Sequence, residues 1–212
     1  MRRLAIIGAG DLGLQLHHLA DLLRFEIAGF FDDTRTPGTE VAGSVVLGGL
    51  SDIRPAFDRD QFDSLVVGIG YKHLDLRQSL YRLHEGHIPF ATLVHPSAVV
   101  DATCRIGAGS VLYSGCVLDM EARIGSNCLL NTGCVIAHHS NIGDGCFLSP
   151  AVSIAGFVVV EPGCVLGIGT IVIDNIRIAS GCRTGAGAVV TRHIEERGLY
   201  LGIPAQLAKT SP

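Results

Sequence analysis

From Val94 onward, an aliphatic residue recurs at every sixth position, and this period continues without a break to Val189. Fifteen of the sixteen hexads in this stretch begin with an aliphatic residue, and Thr184 begins the other one. The fifth position of each hexad is mostly small. An α-helix repeats its apolar face every three to four residues, so the pattern excludes a helix. A period of six is typical of a parallel β-helix, in which each hexad makes a short strand and a corner.

Three hexads make one triangular coil of such a β-helix, so residues 18 apart along the chain stack on one another. The aliphatic residue is predicted to point into the prism, while the small residue lets the chain turn. Each coil buries its face only against the next coil, which gives a continuous core. Glycines at the second or fourth hexad position, such as Gly107 and Gly109, are predicted to supply positive φ at the corners.

The first ninety residues alternate short apolar runs with helical patterns, which favours a small parallel-sheet α/β domain. Strands are predicted at 4–7, 27–31 and 65–69, and helices at 11–23 and 74–84. The predicted fold class is therefore an α/β, Rossmann-like half-domain followed by a parallel β-helix. The predicted domains are residues 1–88 for the nucleotide-binding half, 89–193 for the β-helix and 194–212 for a C-terminal tail.

A glycine-rich loop, Gly8-Ala9-Gly10-Asp11-Leu12-Gly13, matches the G-x-G-x-x-G pattern between a predicted strand and a predicted helix. Such a loop lets backbone amides and a helix N-terminus approach a phosphate. Two other interpretations stay open. The glycines can serve packing in a tight turn, or the loop can bind NAD, because Asp32 and Asp33 follow where a ribose-binding acid would lie. Ninety residues leave room for only about half of a dinucleotide fold.

Composition narrows the function classes. The chain has 212 residues, of which 48% are hydrophobic and 17% charged, and its formal net charge is −4. This balance favours a globular protein and gives no basic footprint for nucleic acid. No apolar run approaches the ~20 residues of a membrane-spanning helix, so we expect a cytoplasmic protein without a membrane partner.

The seven cysteines are spaced by multiples of six and all fall at the fifth hexad position. No C-x-x-C pair exists, so the spacing of a tetrahedral metal site is absent and no metal is expected. Cysteine here is predicted to be a small, buried, structural residue. The cysteines are Cys104, Cys116, Cys128, Cys134, Cys146, Cys164 and Cys182.

The hexads and the Gly202-Ile203-Pro204-Ala205 tail resemble the left-handed β-helix acyltransferases. The whole chain resembles the bacterial sugar acyltransferases of the sialic-acid O-acetyltransferase and nucleotide-linked 4-amino-sugar N-acetyltransferase group. The motifs that carry this resemblance are the glycine loop, Phe31-Asp32-Asp33, Val67-Gly68-Ile69-Gly70, His95-Pro96-Ser97-Ala98, Asn131-Thr132, His138 and the tail. The resemblance implies the left hand of the β-helix, which the spacing alone does not give.

The resemblance also implies the binding residues. A nucleotide sugar is expected at Gly8, Gly10, Asp11, Leu12, Gly13, Asp32, Asp33, Gly68 and Gly70. Coenzyme A, with acetyl-CoA as the acyl donor, is expected at Gly167, Ile168, Gly185, Ala186, Gly202, Ile203, Pro204 and Lys209. The family loop often has a glycine and a histidine where this chain has Asp11 and Leu12.

His138 is the candidate catalytic base. Acyl transfer to an amine or hydroxyl needs a proton acceptor, and an imidazole suits that task near neutral pH. The family's catalytic histidine falls on His138; the next residue, usually an acid, is His139 here, and Phe147 replaces a second family histidine. Gly156 lies 18 residues later, at the same corner, where its amide would stabilise an oxyanion. Asn131 would position the acceptor or the base.

Two alternatives for this histidine pair stay open: both side chains can cap a solvated corner, or they can bind zinc. Zinc is disfavoured because positions 143, 144, 156 and 157 carry no histidine. The predicted function is acetyl-CoA-dependent N-acetylation of a nucleotide-linked amino sugar by a homotrimer. The alternatives are O-acetylation of a sialic-acid-type sugar and a non-catalytic, trimeric nucleotide-sugar-binding protein. The sequence does not identify the nucleotide or the sugar.

Overall fold

The computed structural model describes residues 2–210, with side chains up to residue 208. The chain divides into two compact units, with the division between Leu93 and Val94. The first unit is an α/β domain and the second is built from short stacked strands. No helix within 2–210 has the length and apolar character needed to cross a membrane.

The first unit contains one five-stranded sheet in the order β3-β4-β2-β1-β5. Its strands are β1 (Arg3–Ile7), β2 (Glu26–Phe31), β3 (Glu40–Val41), β4 (Ser44–Gly48) and β5 (Ser64–Val67). All neighbours in the sheet are parallel except the β3–β4 pair. The helices are α1 (Asp11–Leu22), α2 (Ile53–Asp58) and α3 (Leu74–His84), with 3₁₀ turns at Leu50–Asp52 and Tyr71–His73. This is the predicted Rossmann-like half-domain.

The predicted helices and the first two predicted strands form close to their expected bounds. The third strand ends at Val67, two residues earlier than predicted, because the chain there leaves the sheet for the Gly68–Gly70 loop. Strands β3 and β4 and helix α2 were not predicted from the sequence. β4 lies near the sheet edge and mixes exposed and buried positions, and α2 has only six residues, so neither gives a sustained period.

The second unit is a parallel β-helix of three faces, built mainly from two-residue strands stacked 18 residues apart. We call the first the valine face, because valine or isoleucine points outward from most of its strands. Its strands are β7 (Val99–Val100), β10 (Val117–Leu118), β13 (Val135–Ile136), β16 (Ser153–Ile154), β19 (Ile171–Val172) and β22 (Val189–Val190).

The arginine face carries arginine at the outward position of three of its five strands. Its strands are β8 (Arg105–Ile106), β11 (Arg123–Ile124), β14 (Asn141–Ile142), β17 (Val159–Val160) and β20 (Arg177–Ile178). The third face includes the C-terminal strands. It comprises β6 (Leu93–Val94), β9 (Val111–Leu112), β12 (Leu129–Leu130), β15 (Phe147–Leu148), β18 (Val165–Leu166), β21 (Arg183–Thr184), β23 (Gly198–Leu201) and β24 (Gln206–Thr210).

The core follows the predicted hexad positions. First-position residues such as Leu112 and Ile142, and fifth-position residues such as Cys128, are fully buried in one continuous cluster. Two corners matter for function. The chain turns from the third face to the valine face at what we call the glycine corner, and from the valine face to the arginine face at the histidine corner, which holds residues 137–140.

The corner glycines have two different roles, and the prediction of positive φ is correct for only one of them. Fourth-position glycines such as Gly109 and Gly145 have φ of 74° and 65°. Second-position glycines such as Gly107 and Gly143 do not have positive φ. A Cβ built at Gly107 would lie 2.5 Å from the backbone of Ser126 in the next coil, so glycine is required there by close approach of the coils.

The cysteine column is buried and its thiols are free, except that Cys104 is half-buried. Its members also do more than fill space, because each thiol donates to a carbonyl oxygen of the next coil. The Sγ of Cys128 is 3.1 Å from the carbonyl oxygen of Gly143, and that of Cys164 is 3.2 Å from that of Ala179. Burial raises the pKa of the Cys182 thiol to about 11, so this thiol stays protonated at neutral pH.

Candidate active site

His138 lies at the histidine corner, between β13 and β14, and its side chain is half-buried. The imidazole lies directly over Gly156 in the next coil. A Cβ built at Gly156 would lie 2.6 Å from Cε1 and 2.8 Å from Nε2 of His138. Any larger residue at position 156 would therefore displace the ring. The structure brings together the predicted base and the predicted glycine.

His139 contacts His138 through their ring nitrogens. The two Nδ1 atoms are 3.3 Å apart, so one ring donates a hydrogen bond and the other accepts it. His139 has a φ of 60°, which places it in the left-handed region. This backbone conformation turns its side chain to the exposed side of the corner, next to its neighbour.

Phe157 completes a cluster of three rings at this corner. Its ring stacks on His139, with centroids 4.9 Å apart and an interplanar angle of 22°, and it meets His138 edge-on at 5.2 Å. Phe157 also has a positive φ, 58°, which is uncommon for a bulky residue. Phe157 was not predicted from the sequence as a site residue. The available signal was an aromatic side chain at a fourth hexad position, where half of the hexads have glycine.

Some backbone groups around Gly156 make hydrogen bonds that join successive coils. The N–H of Phe157 donates to the carbonyl of His138, and the N–H of Asn175 donates to the carbonyl of Gly156. Within residues 2–210 the N–H of Gly156 has no hydrogen-bond acceptor, and the residue is buried beneath the imidazole. Its predicted service as an oxyanion donor stays a prediction, while its steric role is evident from the ring above it.

Asn131 is not beside His138 in this chain. It begins the glycine corner after β12, and its side-chain amide donates to the carbonyl of Leu148 at 3.2 Å. It lies in the same column as Gly167 and Gly185, 36 and 54 residues further along. The amide of Asn131 thus supports coil stacking on the side of the predicted coenzyme A residues.

The predicted coenzyme A residues gather at the glycine corner. Gly167 and Gly185 stack in successive coils, and a Cβ built at Gly167 would lie 2.6 Å from the carbonyl oxygen of Thr184. Gly202 joins this corner because its carbonyl accepts a hydrogen bond from Val189. Ile168 and Ile203 are 59% and 78% exposed, which leaves an apolar surface beside the stacked glycines.

Three further predicted residues lie near or beyond this corner. Ala186 and Pro204 are exposed. Lys209 belongs to β24 by its backbone, but its side chain lies outside the described part of the structure, so its predicted phosphate contact stays a prediction.

The N-terminal glycine loop contains both packing glycines and open ones. Gly8 has a φ of 96°. Gly13 lies so close to the carbonyl oxygen of Gly8 that any side chain at position 13 would clash with it. Gly68 packs in turn against Gly13, and a Cβ built at Gly68 would lie 2.9 Å from the Cα of Gly13. In contrast, nothing lies within 4 Å of a Cβ built at Gly10 or at Gly70. The packing interpretation therefore applies to some of these glycines, and the open pair leaves room for a ligand.

The two acids after β2 have different surroundings. Asp32 accepts hydrogen bonds from the N–H of Ala9, at 2.7 Å, and from the backbone and hydroxyl of Thr34. Burial alone would raise the pKa of Asp32, but these hydrogen bonds hold it below its usual value. Asp33 is exposed and, among the described residues, accepts only from the N–H of Leu50, through Oδ1. Asp32 therefore fixes the glycine loop, and Asp33 is the freer of the two for a ligand.

Asp11 and Leu12 open helix α1. Asp11 is exposed in the first turn of the helix and Leu12 is half-buried. The helix begins after Gly10, and no side chain caps its N-terminus, so no side-chain cap occupies its first N–H groups.

Arg77 is a second residue that sequence reasoning missed. Its side chain is fully buried, and its guanidinium donates to the carbonyls of Val67 and Ile69. These contacts fix the Gly68–Gly70 loop from below. The available signal was the helical spacing of Arg77 with Leu80, Tyr81 and His84, which together form the buried side of α3.

Solved structures of similar proteins cover nearly the whole chain. PerB from Caulobacter crescentus, solved with CoA and GDP-perosamine, is 30% identical, with a TM-score of 0.89 over 96% of both chains. The chain belongs to this family of nucleotide-amino-sugar N-acetyltransferases. The acetyltransferase domain of PglB from Neisseria gonorrhoeae is 27% identical, with a TM-score of 0.89 over 98% of this chain and 100% of that one. WeeI from Acinetobacter baumannii shares the fold at 23% identity, with a TM-score of 0.85 over 98% of this chain and 100% of that one.

Membership of the nucleotide-amino-sugar N-acetyltransferases confirms the resemblance inferred from the motifs. It also confirms the left hand of the β-helix, which the six-residue spacing could not give. The sequence matches no protein-family model and no curated protein. Across residues 2–210, no three histidine, cysteine or acidic side chains cluster in a way that could hold a metal ion.

Proposed function

We propose that this chain is an acetyl-CoA-dependent N-acetyltransferase of a nucleotide-linked amino sugar, with His138 as the general base. The observation that carries the proposal is the imidazole of His138, held over Gly156 at the histidine corner. Its Nδ1 contacts His139, while its Nε2 has no hydrogen-bond partner among residues 2–210. A half-exposed imidazole with one nitrogen engaged and the other open is suited to accept a substrate proton.

The chemistry follows from these groups. The sugar amine attacks the thioester carbonyl of acetyl-CoA, and Nε2 of His138 takes the proton that the nitrogen loses. The carbonyl oxygen carries negative charge in the tetrahedral intermediate, and the N–H of Gly156 is the proposed donor to it. The intermediate then expels the thiolate of coenzyme A, which the imidazolium can protonate. The products are the N-acetyl sugar nucleotide and free coenzyme A.

The relatives support this substrate class. PerB was solved with CoA and GDP-perosamine, also after one of its histidines was changed to alanine or to asparagine. The PglB domain was solved with acetyl coenzyme A. A donor and an acceptor of the same kinds account for the two groups of predicted binding residues in this chain.

The nucleotide sugar is proposed to bind at the glycine loop of the first unit. The open space at Gly10 and Gly70 would admit a diphosphate, and the N-terminus of the 12-residue helix α1 favours an anion. Asp33 would accept hydrogen bonds from hydroxyl or ring N–H groups of the nucleoside. Asp32 would act indirectly, by holding the N–H of Ala9 and hence the loop.

Acetyl-CoA is proposed to bind along the glycine corner. Gly169 and Gly187 leave open space at this corner, because nothing lies within 4 Å of a Cβ built at either position, so the pantetheine chain could lie against the backbone there. The exposed side chains of Ile168 and Ile203 provide apolar contact. Because the glycine and histidine corners lie on opposite edges of the valine face, one chain alone does not bring donor and base together at either edge.

A homotrimer would solve this geometric problem. The outward side chains of the valine face include Val99, Val117, Val135 and Ile171, which are 64%, 37%, 39% and 46% exposed. Packing of this face against a neighbouring copy would bury the apolar stripe. It would also bring the glycine corner of one copy toward the histidine corner of the next. Light scattering should therefore give three times 22.3 kDa, and a stable, active monomer would overturn the assembly.

The direct test is turnover. A thermal-shift screen with UDP-, GDP- and dTDP-linked sugars identifies the nucleotide, and the matching 4-amino sugar is then incubated with acetyl-CoA. We expect release of the coenzyme A thiol and a sugar nucleotide heavier by one acetyl group. Acetylation of a hydroxyl when the amine is absent would favour O-acetylation. Tight binding of both ligands without turnover would favour the non-catalytic protein.

A further inference from the structure

We propose that Phe157 and His139 together set the tautomer of His138, so that its Nε2 is the nitrogen without a proton. This inference rests on the proposed function, since it assigns how the base is prepared. His139 is the direct hydrogen-bond partner, at 3.3 Å, and Phe157 is the surface on which His139 is stacked, at 4.9 Å. Both are positioning residues that act through His138.

The backbone conformation of Phe157 is the first argument. At fourth hexad positions of the β-helix, positive φ is usually met by glycine, or by asparagine at 127 and 175. Phenylalanine has no such preference, because its Cβ crowds the backbone in the left-handed region. Among the positive-φ residues in 2–210 it is the only apolar aromatic one. Half of its surface is exposed, so burial in the core does not explain it.

The ring contacts supply the second argument. Phe157 stacks almost parallel to His139, which fixes the plane of that imidazole. The same imidazole presents Nδ1 to Nδ1 of His138. Two neutral imidazoles can share this contact only if one carries the proton on Nδ1 and the other presents a lone pair there. For His138 to accept a proton at Nε2, its own Nδ1 must be the donor, and the Nδ1 of His139 must be the acceptor.

The charged groups facing this cluster come from the neighbouring coils. Glu121 lies one coil before His139 and pairs with Arg123 at 3.8 Å. Asp119 accepts a hydrogen bond from the N–H of Met120 at 2.8 Å. Asp174 lies one coil beyond Gly156 and accepts from the side chain of Asn175 at 2.7 Å. Within residues 2–210, these acids contact groups other than the two histidines, which leaves His139 as the hydrogen-bond partner of His138.

Two substitutions at 139 separate the acceptor from the ring. In His139→Asn, the side-chain oxygen occupies nearly the place of Nδ1, accepts the same hydrogen bond and suits positive φ. This variant should keep kcat within about threefold of the original. His139→Phe keeps an aromatic ring on Phe157 but has no acceptor, so kcat should fall by about tenfold to a hundredfold. Equal activity of the two variants would overturn the assignment of His139.

Phe157→Gly tests the stacking surface. Glycine is favoured at positive φ, so the variant should fold with an unchanged or raised Tm, yet kcat should fall by about tenfold. Asn175→Gly is the matched control, since Asn175 has a φ of 60° one coil further along the same corner. It should leave kcat unchanged. Full activity in Phe157→Gly would overturn the role of Phe157.

The tautomers of the two histidines can be measured without turnover, so this inference can be tested separately from the proposed function. In ¹⁵N-histidine-labelled protein, the ring nitrogen shifts should show Nε2 of His138 unprotonated and its Nδ1 protonated, with the reverse pattern in His139. Phe157→Gly should mix the tautomers of both rings. If the pattern is found but no amino sugar is acetylated, the proposed function fails and the tautomer assignment stands. If Nε2 of His138 carries the proton in the original protein, the inference is overturned.

Discussion

The two corners that flank the valine face are built from opposite kinds of residue. At the glycine corner, positive φ is taken by Gly115, Gly133, Gly169 and Gly187, with Ala151 as the exception. At the histidine corner, the same conformation is taken by Glu121, His139, Phe157 and Asn175, and by no glycine in residues 2–210. The coils, strands and spacing are otherwise the same. The two edges of one face therefore differ mainly in whether the corner carries side chains.

This difference matches what each corner would do. A base must be a side chain, and its orientation depends on further side chains, so the histidine corner accepts left-handed backbone at about 1–2 kcal/mol per residue. A long, flexible cofactor can be held by backbone groups, which are reached most easily where glycines leave the backbone bare. Changes at the histidine corner should therefore affect turnover, and changes at the glycine corner should affect the affinity for coenzyme A.

The largest expected effect is the loss of the base. His138→Ala should lower kcat by roughly 10²–10⁴, the range for a positioned general base, and should change the Kd of acetyl-CoA little. Steady-state kinetics and calorimetric titration with acetyl-CoA measure the two quantities separately.

His139→Ala is the control at the same corner, and it should reduce kcat less than His138→Ala does. The neighbour only positions the base, so its loss leaves the proton acceptor in place. If His139→Ala is the more damaging change, the wrong histidine has been assigned. If neither substitution affects turnover, base catalysis at this corner is excluded.

Gly156→Ala should have the next largest effect, and it separates two roles of this glycine. Alanine keeps the backbone N–H, but its Cβ would lie 2.6 Å from Cε1 of His138 and push the ring away. We expect kcat to fall by about a hundredfold, as for a misplaced catalytic group, with an unchanged Kd for acetyl-CoA. A variant with normal turnover would show that the ring can move without loss and that its packing on Gly156 is not needed.

At the glycine corner, Ala186→Glu should weaken binding without slowing chemistry. Ala186 is exposed between the stacked glycines, so a carboxylate there would repel the phosphates of coenzyme A. The Kd for acetyl-CoA should rise by about tenfold, less at high salt, while kcat at saturation stays the same. Ala102→Glu is the matched control, since Ala102 is exposed at the histidine corner, two coils before His138. A fall in kcat with unchanged Kd would contradict the division of labour between the corners.

The β-helix was predictable because each of its positions recurs sixteen times. A single residue such as Val100 or Ile142 predicts nothing by itself. The register that all the hexads share predicts the coil, the buried core and the stacking of Gly156 on His138. The first unit has no sequence repeat, so none of its elements is predicted from several copies of the same pattern. Strand β4 and helix α2 occur once each and are short, so their patterns do not stand out from the surrounding loops.

The sequence predicted only those residues of the candidate site whose type alone suggests a chemical role. His138 was found because an ionisable pair at a corner is unusual, and a general base explains it. Phe157 and Arg77 were missed because their roles depend on contacts across coils or beneath a loop. Likewise, Asp32 and Asp33 look alike in the sequence, and only the hydrogen bond from Ala9 distinguishes the first as support for the loop.

The smallest expected effect concerns what holds each corner to the next coil. At the histidine corner, the hydroxyl of Ser140 donates to Ala155 at 2.7 Å and accepts from Val158 at 3.0 Å, fully buried. At the glycine corner, Cys134 occupies the equivalent position, and its thiol donates to Ser149 at 3.3 Å. A hydroxyl makes stronger hydrogen bonds than a thiol, and its removal leaves two buried partners unsatisfied.

Ser140→Ala should therefore lower the free energy of unfolding by about 1–3 kcal/mol, and Cys134→Ala by about 1 kcal/mol or less. Urea denaturation monitored by circular dichroism gives both values under the same conditions. Because Ser140 follows His139 directly, its loss should also reduce kcat slightly, whereas Cys134→Ala should leave turnover intact. The opposite order of stabilities would mean that thiols, and not hydroxyls, are the main links between coils. Loss of catalysis in folded Cys134→Ala would show that the cysteine column has a role beyond structure.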